Sequence, residues 1–218
     1  ACFVFLFSMI DGLQADMERN LQNYYSGEYL VRHTEYAENA YLNPLHLNVN
    51  DYKEVIDLLG TIESVTAIAP RIPFGTNIYR EGNNVGAMGL GVDIEREKDF
   101  QDLASLLTEG RMPEAGKNEV LLTPGLAEEL GLSVSDKMTV LTKTMRQGTN
   151  AVTFQISGIL TFPVSALNNS YFLAPIDRIQ YLLRMSDAAL EILVKTDEST
   201  NSPAFAERLD AELAAAGR

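Results

Sequence analysis

Cysteine, histidine and tryptophan are nearly missing from this chain. Its 218 residues include one cysteine (Cys2), two histidines (His33, His46) and no tryptophan. A zinc site draws three or four ligands mainly from Cys and His, so zinc chemistry is nearly excluded, and no disulfide can close within the chain. Basic residues are also scarce: 17 Lys+Arg against 30 Asp+Glu leave a net charge of −13. Nucleic-acid binding depends on clustered Lys and Arg that release counterions, and a polybasic membrane-surface peptide needs the same cations. Both classes are disfavoured. Low-complexity tracts and internal repeats are absent.

Catalytic signatures are missing too. Gly86-x-x-Gly89-x-Gly91 reverses the spacing of a dinucleotide loop and lies in a strand pattern, so its glycines read as close backbone approach or bulges. Between Gly110 and Gly116 stand five residues where a phosphate loop needs four, and Asn118 occupies the place of the magnesium-holding Ser or Thr. That segment is a turn. There is no G-x-S-x-G elbow, and His33, at a strand end, reads as a surface or interface residue. The acidic groups Asp93-Ile94-Glu95-Arg96-Glu97 and Glu128-Glu129 read as solvated helix faces rather than a glycosidase pair. Asn168-Asn169-Ser170 has a sequon pattern that arises often by chance. The expectation is a non-enzyme with no catalytic residue, no metal site and no cofactor.

What remains is an ordinary globular composition, 46% hydrophobic and 22% charged. The length suits one large domain or two small ones and should bury ~70% of the unfolded surface. The chain begins at Ala1 rather than Met and reads as a piece of a longer protein. Ala1-Cys2-Phe3-Val4-Phe5-Leu6-Phe7-Ser8-Met9-Ile10 is almost purely apolar and stops at Asp11-Gly12. At about 1.5 Å per helical residue it spans ~15 Å, half of the hydrocarbon thickness, and no signal-peptide flanks are visible. It reads as the outer end of a transmembrane helix, marked by Phe3, Phe5, Leu6 and Phe7, with a buried core helix as the alternative. Leu13, Met17, Leu21 and Tyr24 continue it as an amphipathic stalk to about Tyr25, with Gly12 a weak point and Gly27 a stop.

Beyond the stalk, short strands and helices alternate. Strands are expected at Glu28–Arg32, Ser64–Arg71 (with Pro70 and Pro73 bending the chain out), Glu119–Leu122, Ser170–Ala174 and Leu190–Lys195. Thr76–Val92 reads as two strands around Gly82-Asn83-Asn84. Lys137–Thr144 and Val152–Leu160 form a hairpin through the polar tip Met145-Arg146-Gln147-Gly148-Thr149-Asn150. Helices are expected at Asp51–Leu59 capped by Asn50, at Asp99–Leu107, after Thr123-Pro124 and ending at Gly131, at Pro175–Met185 and at Ser202–Ala216. Helix-bearing ends (28–70 and 170–216) flank a strand-rich middle (71–165), the pattern of an α+β module split by a β-rich insertion.

Several phrases, taken in order, resemble the extracytoplasmic domain of ABC-transporter permeases of the MacB-like periplasmic core family, which includes the Lol lipoprotein-releasing permeases. They are Ser8-Met9-Ile10-Asp11-Gly12-Leu13-Gln14 with Gly27-Glu28-Tyr29-Leu30-Val31; Gly91-Val92-Asp93, Glu109-Gly110-Arg111-Met112-Pro113 and Asn118-Glu119-Val120-Leu121-Leu122; Leu126-Ala127-Glu128-Glu129-Leu130-Gly131-Leu132 with Asp136 and Thr139-Val140-Leu141. Phe154-Gln155-Ile156-Ser157-Gly158-Ile159-Leu160, Tyr171-Phe172-Leu173-Ala174-Pro175 and Gln180-Tyr181-Leu182-Leu183 complete the set.

The resemblance implies an α+β fold. A transmembrane helix end and stalk (1–25) would precede a split βαβ/βαβα porter subdomain (26–70 plus 166–218) carrying an inserted β-rich sabre subdomain (71–165). It further implies a four-helix permease in the bacterial inner membrane, working as a dimer, with this domain on the periplasmic side. A separate cytoplasmic subunit would bind and hydrolyse ATP, and the domain would couple that hydrolysis to lipoprotein or lipid release or to export. A non-transporting sensor or interaction domain that regulates an envelope enzyme is the alternative. Two departures stand out. Ser135-Asp136 replaces the family's usual Gly-Asp, and the 142–151 connection is shorter than the hook with which lipoprotein-releasing permeases capture a periplasmic carrier. Its tip, Lys143, Met145, Arg146 and Gln147, is cationic and apolar on an acidic chain. It reads either as a solvated turn or as a docking point for a lipoprotein carrier or a membrane-anchored adaptor, whose acidic surface its charge would steer.

Overall fold

One long strand organises the molecule. β3 (Val65–Arg80) has 16 residues, roughly 50 Å of chain at ~3.3 Å per residue, and it takes part in two sheet systems. The computed structural model describes residues 29–39, 44–80, 83–197 and 203–215. The expected membrane-helix end, the stalk to Tyr25 and the Gly27 stop lie outside these residues. Among the described residues no helix is long and apolar enough to cross a membrane.

The elements in chain order are β1 (Tyr29–Val31), α1 (Tyr36–Asn39), β2 (Val49–Asn50), α2 (Tyr52–Leu59), β3, β4 (Asn83–Val92), α3 (Ile94–Phe100), β5 (Leu107–Gly110), β6 (Glu119–Leu122) and α4 (Pro124–Leu130). They continue with β7 (Lys137–Lys143), β8 (Thr149–Leu160), β9 (Tyr171–Pro175), α5 (Ile176–Leu183), β10 (Ala188–Ala189), β11 (Glu191–Thr196) and α6 (Pro203–Ala215).

The first half of β3 lies antiparallel to β11, and β11 in turn to β1. Alternation along these strands sends Ile68, Ile192 and Val194 to one face. There they pack with Val55, Ile56 and Leu59 of α2 and Phe205 and Leu209 of α6. Ala67, Ala69 and Leu193 point to the other face, under Phe100 of α3. The second half of β3 belongs to a barrel. β3 pairs β4, β4 pairs β9, β9 pairs β6, β6 pairs β8, β8 pairs β7, and β7 returns to β3. The ring of six closes on itself through these ladders. Its interior holds Phe74, Ile78, Val140, Phe154 and Phe172, with the Phe74 and Phe172 rings edge-on at 6.0 Å. Gly89 is needed here: a Cβ on it would lie 2.4 Å from the Phe74 ring.

β9 and α5 fall within residues 166–218, yet β9 is a barrel strand and Ile179, Leu182 and Leu183 of α5 close the barrel core. β3 likewise runs unbroken across position 70. The strand-rich and helix-bearing parts therefore share strands as well as a boundary.

Pro70 and Pro73 do not bend the chain out of β3. The Leu190 N–H donates to the Arg71 carbonyl at 3.1 Å, so odd positions of β3 direct their backbone polar groups toward β11. Pro70 then faces the opposite edge just before the β4 ladder starts at Arg71. Pro73 faces the β11 side in the gap between that ladder, which ends at Arg71, and the β7 ladder, which starts at Asn77. Neither proline removes a ladder bond, which is the condition for proline inside a sheet. Side chains bridge the gap: Thr76 Oγ1 donates to Leu141 O at 2.9 Å and Thr142 Oγ1 to Gly75 O at 3.3 Å.

Three further expectations change. The helix expected at Asp99–Leu107 is instead α3, capped by Asp93, whose carboxylate accepts the N–H groups of Glu95 and Arg96, followed by a short 3₁₀ turn (Leu103–Leu106). α2 begins at Tyr52 after Asp51 in the left-handed region (φ 48) rather than after an Asn50 cap. Glu97, read as solvated, is buried. Its carboxylate accepts two bonds from Arg71, 2.8 Å from Nε and 3.0 Å from Nη2, and both side chains are at most 2% exposed. The Arg71 guanidinium also lies 5.4 Å from the Phe100 ring centre, and Lys195 lies on that ring at 4.6 Å and donates to the Phe100 carbonyl. Glu191 faces Arg71 in register, and burial pushes its carboxyl above the usual range against the pull of Arg32 and Arg71.

The phrases that carried the family resemblance have structural work. Gly110 has φ 77, and a Cβ there would meet Ser157 O at 2.2 Å. Arg111 forks onto Glu119 at 2.9 and 2.5 Å, and that hydrogen bonding holds the Glu119 carboxyl below its usual range. Gly131 ends α4 with φ 58. Ser135, where the family has glycine, sits at φ 80.

Removing one partner of a buried pair leaves an uncompensated charge, a cost of about 3–5 kcal/mol. Arg71→Met and Glu97→Leu should each lose that much in urea unfolding, and the double variant should lose markedly less than either. Ser135→Gly relieves the strained backbone and should gain about 0.5–1 kcal/mol in the same assay, after the extra unfolded-state entropy of glycine is counted.

Candidate docking site at the hairpin tip

The β7–β8 hairpin is in register from Lys137↔Gln155 to Lys143↔Thr149. Its tip closes when the Thr144 N–H donates to Gly148 O at 2.7 Å and the Gln147 N–H to Thr144 O at 2.9 Å, with Gln147 at φ 62. The tip does not project freely. The Met145 N–H donates to Leu183 O at 2.9 Å, and Asn150 Nδ2 donates to Leu182 O at 2.9 Å. Both acceptors are last-turn carbonyls of α5, which have no partner within their own helix. The hairpin thus caps α5 from outside, while Arg184 turns the chain away at φ 55.

The four residues expected at this site divide. Met145 is half-buried, packs on the barrel core and receives a contact from Asn48 Nδ2 to its sulfur at 3.5 Å; it anchors the tip. Lys143, Arg146 and Gln147 are exposed. The structure adds neighbours that sequence reading missed. A cleft of about 530 Å3 between tip and helix is lined by Arg146, Asn150, Gln180, Tyr181, Arg184 and Met185. Tyr181 is 61% exposed, and Arg178 stacks on its ring at 4.8 Å. Arg146 and Arg184 lie at the C-terminal end of α5, where the helix dipole favours cations. Among the described residues, Lys143, Arg146 and Arg184 form no ion pair.

The arrangement offers unpaired cations, an exposed aromatic ring and a shallow cleft, which suits recognition of carboxylates on a protein surface. Nothing at the tip supplies a nucleophile with an adjacent base. His33 accepts a bond from the Glu35 N–H at 3.2 Å in a local turn. Glu128 and Glu129 are exposed on α4. Among the described residues no three His, Cys, Asp or Glu side chains gather as metal ligands. A larger cleft of about 880 Å3 between β1 and α6 has mainly apolar walls, including Tyr29, Val31, Val55, Leu209 and Leu213.

The division between anchor and exposed residues is measurable. Met145→Ala should cost about 1–2 kcal/mol in chemical unfolding, less than the roughly 2–5 kcal/mol of a fully buried methionine. Arg146→Ala should change stability by less than about 0.5 kcal/mol.

The architecture has known counterparts. The periplasmic region of MacB from Actinobacillus actinomycetemcomitans superposes with a TM-score of 0.58 at 13% identity, covering 84% of this chain and 80% of that one. The extracellular domain of the ABC-type transporter YknZ from Gram-positive bacteria gives 0.54 at 14% identity, covering 83% and 86%. No curated protein sequence matches the chain. The family model of the MacB-like periplasmic core domain matches residues 1–212, and with that span the chain belongs to the MacB-like periplasmic core domain family.

Proposed function

We propose that this chain is the extracytoplasmic part of an ABC-type permease, lying on the periplasmic side of the inner membrane. In this reading it works as a paired subunit, and a separate ATP-binding subunit hydrolyses ATP in the cytoplasm. The observation that carries the reading is the family match over residues 1–212. The chain's own job is mechanical. A domain that passes on movement must not shear internally, and β3 meets that need by serving both sheet systems as one unbroken strand. The Arg71–Glu97 pair clamps α3 across the sheet at the junction. The tip, with exposed Lys143, Arg146 and Gln147, is the docking point for a periplasmic lipoprotein carrier or a membrane-anchored adaptor. The cargo is a lipoprotein, a lipid or an exported compound.

ATP turnover by the purified permease with its ATP-binding subunit tests this. Addition of a triacylated lipoprotein, or of a panel of exported amphiphiles, should raise turnover several-fold. Arg146→Glu should remove the further rise that a docked partner adds and leave basal turnover unchanged. Turnover indifferent to every cargo, together with unchanged envelope transport after deletion of the chain, would sink the reading and favour a sensor role.

A further inference from the structure

Among the described residues, one part of the barrel's outer surface is covered and another is open. β6 is buried on both faces because Leu121, with Leu173 of β9, packs outward beneath Leu103, Leu160 and Phe162. The odd face of β3 is covered by α3 as far as Arg71, and then opens at Asn77 and Tyr79. Two rows cross the open face in register. One is Asn84–Tyr79–Thr139–Thr153 and the other Gly86–Asn77–Leu141–Ala151. Six of these eight residues are exposed outright, and Thr139 and Leu141 partly so.

Among the described residues the face has no carboxylate. β3 and β4 contain no Asp or Glu, and neither does the stretch from Lys137 to Ile176, in a chain where 30 of 218 residues are acidic. Its charges are Lys137 and Lys143 at the two ends of β7, with Arg146 just beyond; none has an ion-pair partner among the described residues. The side chains on it are mostly small. Thr139 and Thr153 satisfy each other's hydroxyls at 3.0 Å. Tyr79, 46% exposed, is the large ring on it. Tyrosine enrichment and loss of acidic residues mark the centre of protein interfaces.

We propose that this open face of β4, β3, β7 and β8 is a docking surface for a partner protein that presents an acidic surface, with Tyr79 near its centre and Lys137, Lys143 and Arg146 at its margin. The proposal rests on the docking reading of the tip and extends it onto the sheet. Charge selects the occupant. A screening length of about 8–10 Å makes the local sign of a face matter more than the sum over the molecule. An acidic partner is repelled by the rest of a chain at −13 and admitted here. A second copy fits less well, because opposing the same face would set cations against cations.

The test is photo-crosslinking in the full-length permease in its own cell, with p-benzoylphenylalanine replacing Tyr79, Arg146 or, as an acidic control, Glu128. Positions 79 and 146 should capture the same protein, crosslinked through an Asp/Glu-rich segment, and position 128 should not. Capture at 79 should fall roughly tenfold with Thr139→Glu/Thr153→Glu and persist with Thr139→Lys/Thr153→Lys. It should also fall when native membranes are washed at about 0.5 M salt. Resistance of the variants to protease confirms that they are folded. Capture from 146 without 79 overturns the sheet proposal and leaves the tip reading standing; silence at both overturns the two together. Capture of a second copy or of lipid at 79, or capture indifferent to the glutamates, overturns the acidic-partner assignment.

Discussion

A bidentate ion pair sealed from water joins α3 to β3, and much of the architecture is arranged around it. Arg71 stands where two ladders meet: the β11 ladder stops at Arg71 and the β4 ladder starts there. A buried guanidinium with no partner costs several kcal/mol, so α3 has little freedom to slide or lift. Glu97 must reach Arg71, and Phe100, one turn on, must lie between Arg71 and Lys195. Such a pair adds little net stability over well-packed apolar residues, but it is strongly directional. Its effect here is to fix which face of the sheet α3 covers and where that cover ends.

The end of that cover determines the rest. Beyond Arg71 no helix among the described residues lies over the same strand face, and the ladder passes from β11 to β7. A strand that kept one neighbour throughout would build a single open sheet. Changing neighbours without a break lets β3 be edge-paired in a three-stranded layer and in a closed barrel at once. The two prolines sit at the change, where the backbone would otherwise present an unpaired donor to a vacant edge. Rigidity between the halves thus comes from covalent continuity and ladder bonds. A linker between two packed domains would allow the relative motion expected of small interfaces.

Local chemistry was legible in the sequence, and long-range closure was not. Thr123-Pro124 and Gly131 bounded α4 because proline at the first helical position and glycine after the last turn are backbone requirements. The 137–160 hairpin showed itself by alternation around a polar tip. Prolines 70 and 73 misled because a strand with a different neighbour on each half tolerates them, and neighbours are not written locally. Glu97 looked solvated among Asp93, Glu95 and Arg96 because its partner is 26 residues earlier. Met145 read as part of an exposed tip for the same reason: the carbonyl that its backbone caps belongs to α5. Of the four tip residues named from sequence, three are exposed. The cleft beside them, with Tyr181 and Arg184, needed the fold to bring α5 alongside. At Ser135 the sequence showed the departure from Gly-Asp but not its backbone consequence, a serine held at φ 80.

Charge distribution connects fold and function most directly. A net charge of −13 repels like molecules and keeps a domain soluble, and that purpose would be served by carboxylates scattered over every strand. The acidic residues are instead kept off β3, β4, β7 and β8, including positions where burial does not forbid them. Asn77, Ala151 and Thr153 point to water and would carry a glutamate without a packing penalty. Neither is the face apolar enough to be a mislaid core, since its rows are threonine, asparagine, glycine and alanine with one tyrosine and one half-buried leucine. A solvated face with no structural reason to avoid carboxylates, adjoining a tip with unpaired cations, is better explained by what must approach it than by what it supports.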